Sequence, residues 1–349
     1  MRLRQRRMSS WLLVGMLTIP RLLMAQDEDE WPTGHYPLPE QGNVVGDIQR
    51  VKASHEDTLI DIGLRHGIGY NAMLAANPDT PVWIPGEGTE VVLPTRFVLP
   101  SAPREGIVIN IAELRLYYYP AVEEGEAPRV ETYPIGIGRQ GWQTPLGETR
   151  ITTKLESPAW YPPDSIIQEH AERGDNLPRV VPPGPDNPLG DYAMLLDIPG
   201  YLIHGTDRPQ GVGMYVSHGC IRMLPGDIEN LIYRVPKGTK VRIVNEPVKF
   251  GWTDEEGLLV QAYPSSEEGG DNADSRIEKG LNEATEAVKG RDFLVDYGRL
   301  KHALDTPDGL TVPLYLAGAP FEIPYHFYDQ LELDETFYNQ LIITMAEDD

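Results

Sequence analysis

The chain contains a single cysteine, Cys220, and its neighbours suit a reactive site better than a packed core. Residues 217–223 read SHGCIRM, so the thiol follows a histidine and a glycine. A lone thiol cannot form a disulfide within the chain, which leaves an inert buried thiol, an intermolecular bridge or a nucleophile. Free cysteines usually pack as small apolar residues. Gly219 and His218 suit a tight backbone beside a polar site better than a packed core. We therefore predict that Cys220 is a nucleophile.

Two histidines are placed in the sequence where they could activate this thiol. His218 precedes Cys220 by two residues, which puts both side chains on one side of an extended backbone. His204 precedes it by sixteen residues, and a strand, a glycine-containing loop and a return would bring its ring alongside. The thiolate is the reactive form, so we expect an imidazolium or backbone N–H donors to lower the pKa of Cys220.

The same three side chains suit a second chemistry. Cys220, His204 and His218 could ligate zinc and leave a fourth position open, as in catalytic zinc sites. The zinc content of the purified protein distinguishes this alternative from nucleophilic catalysis. Our preferred interpretation requires no metal and no cofactor.

The N-terminal segment predicts export. Four arginines among the first seven residues precede an apolar stretch from Trp11 to Met24, after which the chain becomes acidic. This order is typical of a secretory signal peptide, which we assign to residues 1–25, with an uncleaved anchor as the alternative. The stretch is too short to span a bilayer and no second long apolar run follows it. We therefore expect a periplasmic protein whose mature chain has no membrane span.

The charge of the chain excludes one class of partner. The formal net charge is -23, and phosphate binding needs a basic surface, so we expect no nucleic-acid partner. From Asp254 to the C-terminus there are 22 Asp or Glu against 6 Lys or Arg. We interpret residues 247–349 as an acidic C-terminal extension with a solvated acidic face. It is expected to contain a hairpin around Asp254–Gly257 and one or two amphipathic helices over 276–304.

Residues 46–95, which follow an acidic linker over 26–45, have the pattern strand, helix, helix, strand. The first helix has an N-cap at Asp57 or Thr58 and a stop at Gly67. The segments DTLIDI, HGI, AANP and IPGEGTEVVLP resemble a LysM domain, which implies a small peptidoglycan-binding module. A βααβ spacer that binds nothing is the alternative.

From Ile107 onward, runs of β-branched and aromatic residues predict antiparallel strands. Residues 136–141, GIGRQG, match a dinucleotide-binding fingerprint, but Pro145 and Gly147 follow where that fold requires a helix, so we interpret the glycines as turn residues.

Residues 157–190 are rich in Pro, Gly and Asn. Loops of this length are usually functional or disordered, and we interpret this one as a lid or substrate wall.

The stretch HGTDRPQGVGMYVSHGCIRM, residues 204–223, resembles the signature of the YkuD-type L,D-transpeptidase catalytic domain: a His-Gly pair, a gap, and Ser-His-Gly-Cys followed by a hydrophobic residue and Arg or Asn. The segments INIAELRLYYYP, IGIGRQGWQTPLGETRI and NPLGDYAMLL add to the resemblance. We assign residues 105–246 to this domain. The expected fold class is therefore α+β, with a β-rich catalytic domain preceded by a small βααβ LysM-like domain.

The resemblance implies a catalytic role for five residues. Cys220 would be the nucleophile and His204 the general base, with the carbonyl of Gly205 orienting the imidazole. The backbone N–H groups of His218, Gly219 and Cys220 would form an oxyanion hole.

Four further residues would contact the substrate. Arg222 would bind a substrate carboxylate, next to Ser217 in the same motif. Tyr192 and Trp160 would line the groove for the donor peptide.

The resemblance also implies peptidoglycan as the substrate. The enzyme would attack the third residue of a tetrapeptide stem, expel D-Ala and hold a thioester on Cys220. An amine of another stem would then give a 3-3 cross-link, and a lysine of an outer-membrane lipoprotein would give a tethered protein. Water would make the enzyme an L,D-carboxypeptidase or amidase, and a non-catalytic wall-binding scaffold is the remaining alternative.

Overall fold

The computed structural model describes residues 31–122, 125–139, 144–264 and 273–315. The predicted signal peptide lies outside these ranges, as do part of the GIGRQG turn and the chain after residue 315. Within the described ranges, no helix combines the length and the apolar character needed to cross a membrane.

The described chain before residue 100 consists of short elements. They are β1 (His35–Pro37), β2 (Val44–Val45), β3 (Gln49–Lys52), α1 (Leu59–Arg65), α2 (Tyr70–Ala76), β4 (Glu90–Leu93) and β5 (Phe97–Val98). Strands β3 and β4 pair antiparallel, so the predicted order of strand, helix, helix and strand is confirmed. The assignment of this unit to the LysM domain stays a prediction.

Helix α1 begins where the sequence predicts. The Thr58 hydroxyl accepts a hydrogen bond from the Asp61 backbone N–H at 3.0 Å, and the Asp61 carboxylate accepts one from the Thr58 N–H at 3.2 Å. This capping box satisfies two backbone donors that the first turn of a helix leaves unpaired. Gly67 follows the helix with φ +65, a left-handed backbone conformation that residues with a Cβ rarely adopt. The helix therefore ends before Gly67.

The β-rich domain follows. Its elements are β6 (Gly106–Asn110), β7 (Arg115–Tyr119), β8 (Arg129–Gly138), β9 (Gly147–Glu156), α3 (Asp164–Glu172), β10 (Tyr192–Leu196), β11 (Leu202–His204), a 3-10 turn (Pro209–Gly211), β12 (Tyr215–Ser217), β13 (Ile221–Met223), α4 (Pro225–Arg234) and β14 (Lys240–Val244). Helix α3 lies inside residues 157–190, where the composition had indicated only a loop.

The strands of this domain close into a ring, in the order β8-β13-β11-β10-β9-β14-β6-β7 and back to β8. Two ten-residue strands make the closure possible because each pairs with different neighbours along its length. Strand β8 pairs with β7 up to Pro134 and with β13 from Ile135. Strand β9 pairs with β14 up to Arg150 and with β10 from Ile151.

Strand β7 is buried on both faces, and alternate residues face different cores. Leu116 and Tyr118 belong to the core inside the ring, whereas Tyr117 and Tyr119 pack with residues of the N-terminal unit such as Leu59. This follows from the period of two in side-chain direction along a strand. Residues 46–95 therefore share a hydrophobic core with the β-rich domain and are not packed as a separate module.

The C-terminal part contains β15 (Val248–Thr253), β16 (Gly257–Ala262), α5 (Ala273–Val288), α6 (Tyr297–Asp305) and β17 (Thr311–Pro313). The predicted hairpin and helices are thus confirmed. Strands β15, β16 and β17 form an antiparallel sheet that packs against the two helices around its own core.

Candidate active site

The histidine and the cysteine of the motif lie at two paired, parallel strands. In the pairing of β11 with β13, Ile203 lies opposite Ile221 and His204 lies opposite Arg222. Cys220 directly precedes β13, so it lies on the neighbouring strand only two residue positions from the level of His204. The pairing of β11 with β13 thus places residues that are sixteen apart in the chain on adjacent strands.

The turn before Cys220 is held by hydrogen bonds of its own. The Ser217 hydroxyl donates to the Cys220 carbonyl at 2.5 Å and accepts the Gly219 N–H at 3.2 Å. The Thr144 hydroxyl donates to the Gly219 carbonyl at 2.9 Å. Gly219 has φ +101, a conformation in which a Cβ would be strained. The turn is therefore held by contacts within the protein itself.

Two residues of this turn were expected to take part in the reaction. Ser217 is 1% exposed, and both hydrogen-bonding functions of its hydroxyl serve the turn. The N–H of Gly219 is directed at the Ser217 hydroxyl. The substrate contact of Ser217 and the oxyanion role of the Gly219 N–H stay predictions.

The ring of His204 is buried and has a defined tautomer. Its Nδ1 lies 2.7 Å from the Gly205 carbonyl oxygen, which can only accept, so Nδ1 carries the proton. Burial, followed by the positive charge of Arg222, lowers the pKa of His204 to about 4. The ring is therefore neutral at pH 7, with its lone pair on Nε2.

The thiol of Cys220 does not have the lowered pKa that we expected. Burial raises the pKa of Cys220, and a hydrogen bond from the Leu202 backbone and the charge of Arg222 offset this only in part. The neighbouring imidazole cannot act as a counter-charge because His204 is neutral. The resting thiol and the ring of His204 are therefore both neutral, and the Cys220 thiol donates to the Gly200 carbonyl at 3.5 Å.

The ring of His218 takes part in an ionic cluster, and its role in activating Cys220 stays a prediction. Its Nε2 lies 2.9 Å from a carboxylate oxygen of Glu169 and 3.1 Å from Nη2 of Arg139. Arg139 and Arg173 both form ion pairs with Glu169. These hydrogen bonds lower the pKa of Glu169 to about 2, so its carboxylate is charged at neutral pH.

Arg222 is a cation with an incomplete set of partners. Its Nε is buried and, among the described residues, has no hydrogen-bond partner. Burial lowers the pKa of Arg222, which the carboxylate of Asp207 counteracts. A desolvated guanidinium of this kind would be stabilised by a carboxylate brought by a ligand.

Tyr192 and Trp160 occupy different surroundings. The Tyr192 carbonyl accepts the Gly205 N–H at 3.0 Å, so its backbone adjoins the histidine of the site, while its hydroxyl donates to Glu229 at 3.3 Å. The backbone of Trp160 pairs with Val181 inside the 157–190 segment. The role of both residues in a substrate groove stays a prediction.

The zinc alternative is not supported by the geometry. In the described part of the chain, no group of three or more His, Cys, Asp or Glu side chains could hold a metal ion. That alternative required His218 to converge with Cys220 and His204, but the His218 ring contacts Glu169 and Arg139.

Three residues that contact the motif were not predicted from the sequence: Glu169, Arg139 and Thr144. Arg139 lies in the GIGRQG segment, which drew attention only for its glycines. Glu169 is 49 residues from His218, and a contact at that separation leaves no local pattern in the sequence.

Comparison with known proteins identifies the family. The family model described as the L,D-transpeptidase catalytic domain, YkuD, matches residues 104–243. The probable L,D-transpeptidase ErfK/SrfK of Escherichia coli K12 is 38% identical over 80% of this chain and 90% of that protein. The probable L,D-transpeptidase YcfS of the same organism is 38% identical over 79% of this chain and 87% of that protein.

Among solved structures, an L,D-transpeptidase from Mycobacterium tuberculosis H37Rv covers 45% of this chain and 63% of its own, with 21% identity and a TM-score of 0.29. That likeness is too distant to carry a conclusion of its own. The long matches to the Escherichia coli relatives do carry one: the chain belongs to the YkuD family of L,D-transpeptidases and is an L,D-transpeptidase enzyme.

Proposed function

We propose that this enzyme acts on peptidoglycan in the periplasm and transfers the acyl group of a tetrapeptide stem through a thioester on Cys220. The observation that carries the proposal is the placement of His204, whose Nδ1 faces the Gly205 carbonyl and whose strand pairs with the strand that Cys220 precedes. A neutral imidazole is the form that a general base requires at pH 7.

Acylation follows from this arrangement. His204 Nε2 takes the thiol proton while Sγ of Cys220 attacks the carbonyl carbon of the third residue of the stem. The C–N bond to the terminal D-Ala then breaks, and the proton on His204 goes to the departing amine. In the second half, an acceptor amine gives a proton to His204 and attacks the thioester carbonyl, and the released thiolate of Cys220 recovers that proton.

The negative charge that develops on the attacked carbonyl oxygen needs donors. Because the Gly219 N–H is directed at Ser217, we assign this role to the backbone N–H groups of His218 and Cys220. The positive φ of Gly219 and the hydrogen bond from Thr144 support this assignment, because both restrict the backbone between the two donors.

Arg222 is proposed to bind a carboxylate of the donor stem. The support is its buried Nε, which has no hydrogen-bond partner in the described part of the chain and lies one strand away from His204. Arg222→Lys keeps the charge and loses the planar fork of donors, so it should weaken the binding of the donor stem.

The products formed from purified tetrapeptide muropeptides test the function, with mass spectrometry as the readout. A dimer means 3-3 cross-linking, a stem joined to a lysine-containing lipoprotein peptide means tethering, and a stem that has only lost D-Ala means hydrolysis. Formation of none of these by the wild type, in a reaction with both acceptors present, would contradict the proposal.

A second function, glycan binding by residues 46–95, is favoured by one observation. Trp83 and Ile84 are adjacent in the loop between α2 and β4 and are 68% and 73% exposed. An exposed indole offers an apolar platform to the face of a sugar ring, and neighbouring exposed apolar groups commonly mark binding sites.

Point variants test this second function, since residues 46–95 share a core with the catalytic domain and cannot be deleted cleanly. Trp83→Ala should reduce co-sedimentation with isolated sacculi several-fold. Leu294→Ala, which removes an apolar side chain that is 72% exposed in the C-terminal part, serves as the control. Equal retention of both variants would leave residues 46–95 as a spacer.

A further inference from the structure

Glu169 is a partly exposed carboxylate of the inserted segment that the mechanism above does not use. It lies on α3, in the middle of residues 157–190, and bonds to the His218 ring two residues before the nucleophile. Its second oxygen forms the ion pair with Arg139, whose backbone N–H donates to the Ser217 carbonyl at 2.9 Å. Glu169 thus contacts both flanks of the motif turn.

The inserted segment is also closed at its base, independently of Glu169. Trp160 and Val181 exchange two backbone hydrogen bonds of 2.9 Å. The side chain of Asn187, which is 1% exposed, donates to the carbonyls of Pro158 and Pro182 at 2.9 and 3.1 Å. Loss of Glu169 should therefore leave the segment folded and change only how α3 meets the motif.

The charges around the contact between α3 and the motif turn show that the Glu169 carboxylate stabilises it. Arg139 and Arg173 are both cations, and each is paired with the one carboxylate between them. Without that carboxylate, the two guanidinium groups would repel each other and the His218 ring would lose its contact with α3. Arginine side chains only donate hydrogen bonds, so neither can replace Glu169 as a partner for the other.

We propose that Glu169 is a positioning residue for the transfer reaction: it fixes the His218 ring from α3 and so keeps the backbone donors at residues 218 and 220 in place. This inference rests on the proposed function for the use of those donors. Glu169 does not contact the thiol, and its effect passes through His218. Loss of such support lowers the maximal rate and leaves donor binding largely unchanged, because the misplaced groups act on the transition state.

The experiment compares acyl-enzyme formation with a tetrapeptide donor in four proteins: the wild type, Glu169→Ala, Glu169→Gln and Glu172→Ala. Glu172 is the matched control because it lies on the same helix, carries the same charge and, among the described residues, has a side-chain hydrogen bond only with Gln168, at 3.1 Å across one turn. The maximal acylation rate of Glu169→Ala should fall by about tenfold to a hundredfold. Its half-saturating donor concentration should stay within about twofold of the wild type, as expected for a group that acts only on the transition state.

The variants separate this role from others. Glu169→Gln keeps the shape and an acceptor oxygen but loses the charge, so it should recover part of the rate. An unchanged maximal rate in Glu169→Ala, or an equal loss in Glu172→Ala, would overturn the proposal. A raised half-saturating concentration with an intact maximal rate would also overturn it, because α3 would then be a wall of the donor site.

A readout without chemistry keeps the test independent of the proposed function. Hydrogen–deuterium exchange of the peptide covering residues 215–224 should be faster in Glu169→Ala than in the wild type and in Glu172→Ala. Equal exchange in all three proteins would refute the positioning role even if the enzyme were active. Failure of the wild type itself to form an acyl-enzyme would instead refute the proposed function.

Discussion

The backbone of Gly213 lies directly against the backbone of Tyr70. A Cβ at position 213 would be 2.2 Å from the Tyr70 nitrogen, and the N–H of Asn71 donates to the Gly213 carbonyl at 3.1 Å. The first turn of α2 therefore contacts the loop that joins His204 to Cys220. The N-terminal unit supports the chain segment between the two principal residues of the site.

Gly213→Ala should accordingly impair both stability and acylation. Gly213 has φ +87, which costs an alanine about 1–2 kcal/mol, and the contact with Tyr70 adds to this because backbone has to move. Chemical denaturation measures the first effect, and the acylation rate of the remaining folded protein measures the second.

Gly238→Ala is the control for this prediction. Gly238 has φ +88 but no atom within 4 Å of the added Cβ, so it reports the conformational cost alone. Equal stability of the two variants would mean that the contact with α2 contributes nothing.

Lys249 and Glu113 form a buried ion pair between the C-terminal hairpin and the catalytic domain. The ammonium lies 2.8 Å from the carboxylate, and both side chains are 1% exposed. The Glu113 carboxylate also accepts from the Tyr117 hydroxyl at 2.8 Å. Lys249→Met leaves a buried carboxylate without its counter-charge, so unfolding free energy should fall by about 3–5 kcal/mol in urea titration.

An exposed pair provides the comparison. Lys289 lies 3.0 Å from Glu286, with side chains 74% and 70% exposed, and Lys289→Met should change the unfolding free energy by less than about 1 kcal/mol. The double variant Lys249→Met/Glu113→Gln should be more stable than Lys249→Met alone, because no buried charge is left unpaired. A double variant that is less stable than the single one would contradict this explanation.

The pH dependence of acylation should reflect the neutral base. The pKa of His204 is lowered to about 4, so protonation removes the base only as the pH falls through that value. The thiol pKa is raised, so thiolate does not form in the neutral range. We expect an acylation rate that is flat through the neutral range and declines towards pH 4, measured by intact-protein mass against time.

Folding has to be followed in the same experiment. Below the ordinary histidine pKa of 6.5, the unfolded chain binds a proton at residue 204 that the folded chain does not. The free energy of unfolding therefore also decreases as the pH is lowered. Circular dichroism at each pH separates this loss from loss of the base. An inflection of the rate near pH 6.5 in a fully folded protein would show that His204 is not held neutral.

Some features of the fold and the candidate site were predictable from short stretches of sequence. The Thr58 cap and the Gly67 stop define α1 because local capping chemistry specifies them. The neighbourhood of His204 and Cys220 was predictable from a motif whose spacing fits two adjacent strands. In each case, residues close in sequence carry the information.

Contacts between distant segments were not predictable in this way. The hydrophobic pattern of β7 shows that Tyr117 is buried but not that residues 46–95 cover it. The ring closure by β8 and the contact between Glu169 and His218 likewise depend on tertiary packing. The raised pKa of Cys220 was missed for a related reason, since the extent of burial around the thiol is a property of the whole fold.

Cys220→Ala should abolish acyl-enzyme formation and leave the fold intact. The thiol is the only sulfhydryl in the chain and is partly exposed, so its loss should change the unfolding free energy by less than about 1 kcal/mol. Cys220→Ser should also be almost inactive, because a hydroxyl is much harder to deprotonate than a thiol and His204 is backed by a carbonyl instead of a carboxylate.

The measurement is intact-protein mass after incubation with a tetrapeptide donor or a carbapenem, with thermal melting as the control for folding. Ser217→Ala is the matched variant for the motif: it removes the hydroxyl that holds the turn but keeps the thiol, so it should slow acylation without abolishing it. A covalent adduct on well-folded Cys220→Ala protein would disprove the mechanism. Loss of both the adduct and the fold in Cys220→Ala would instead indicate that Cys220 is a buried structural thiol. A fold that depends on one sulfur atom requires that atom to have a packing role.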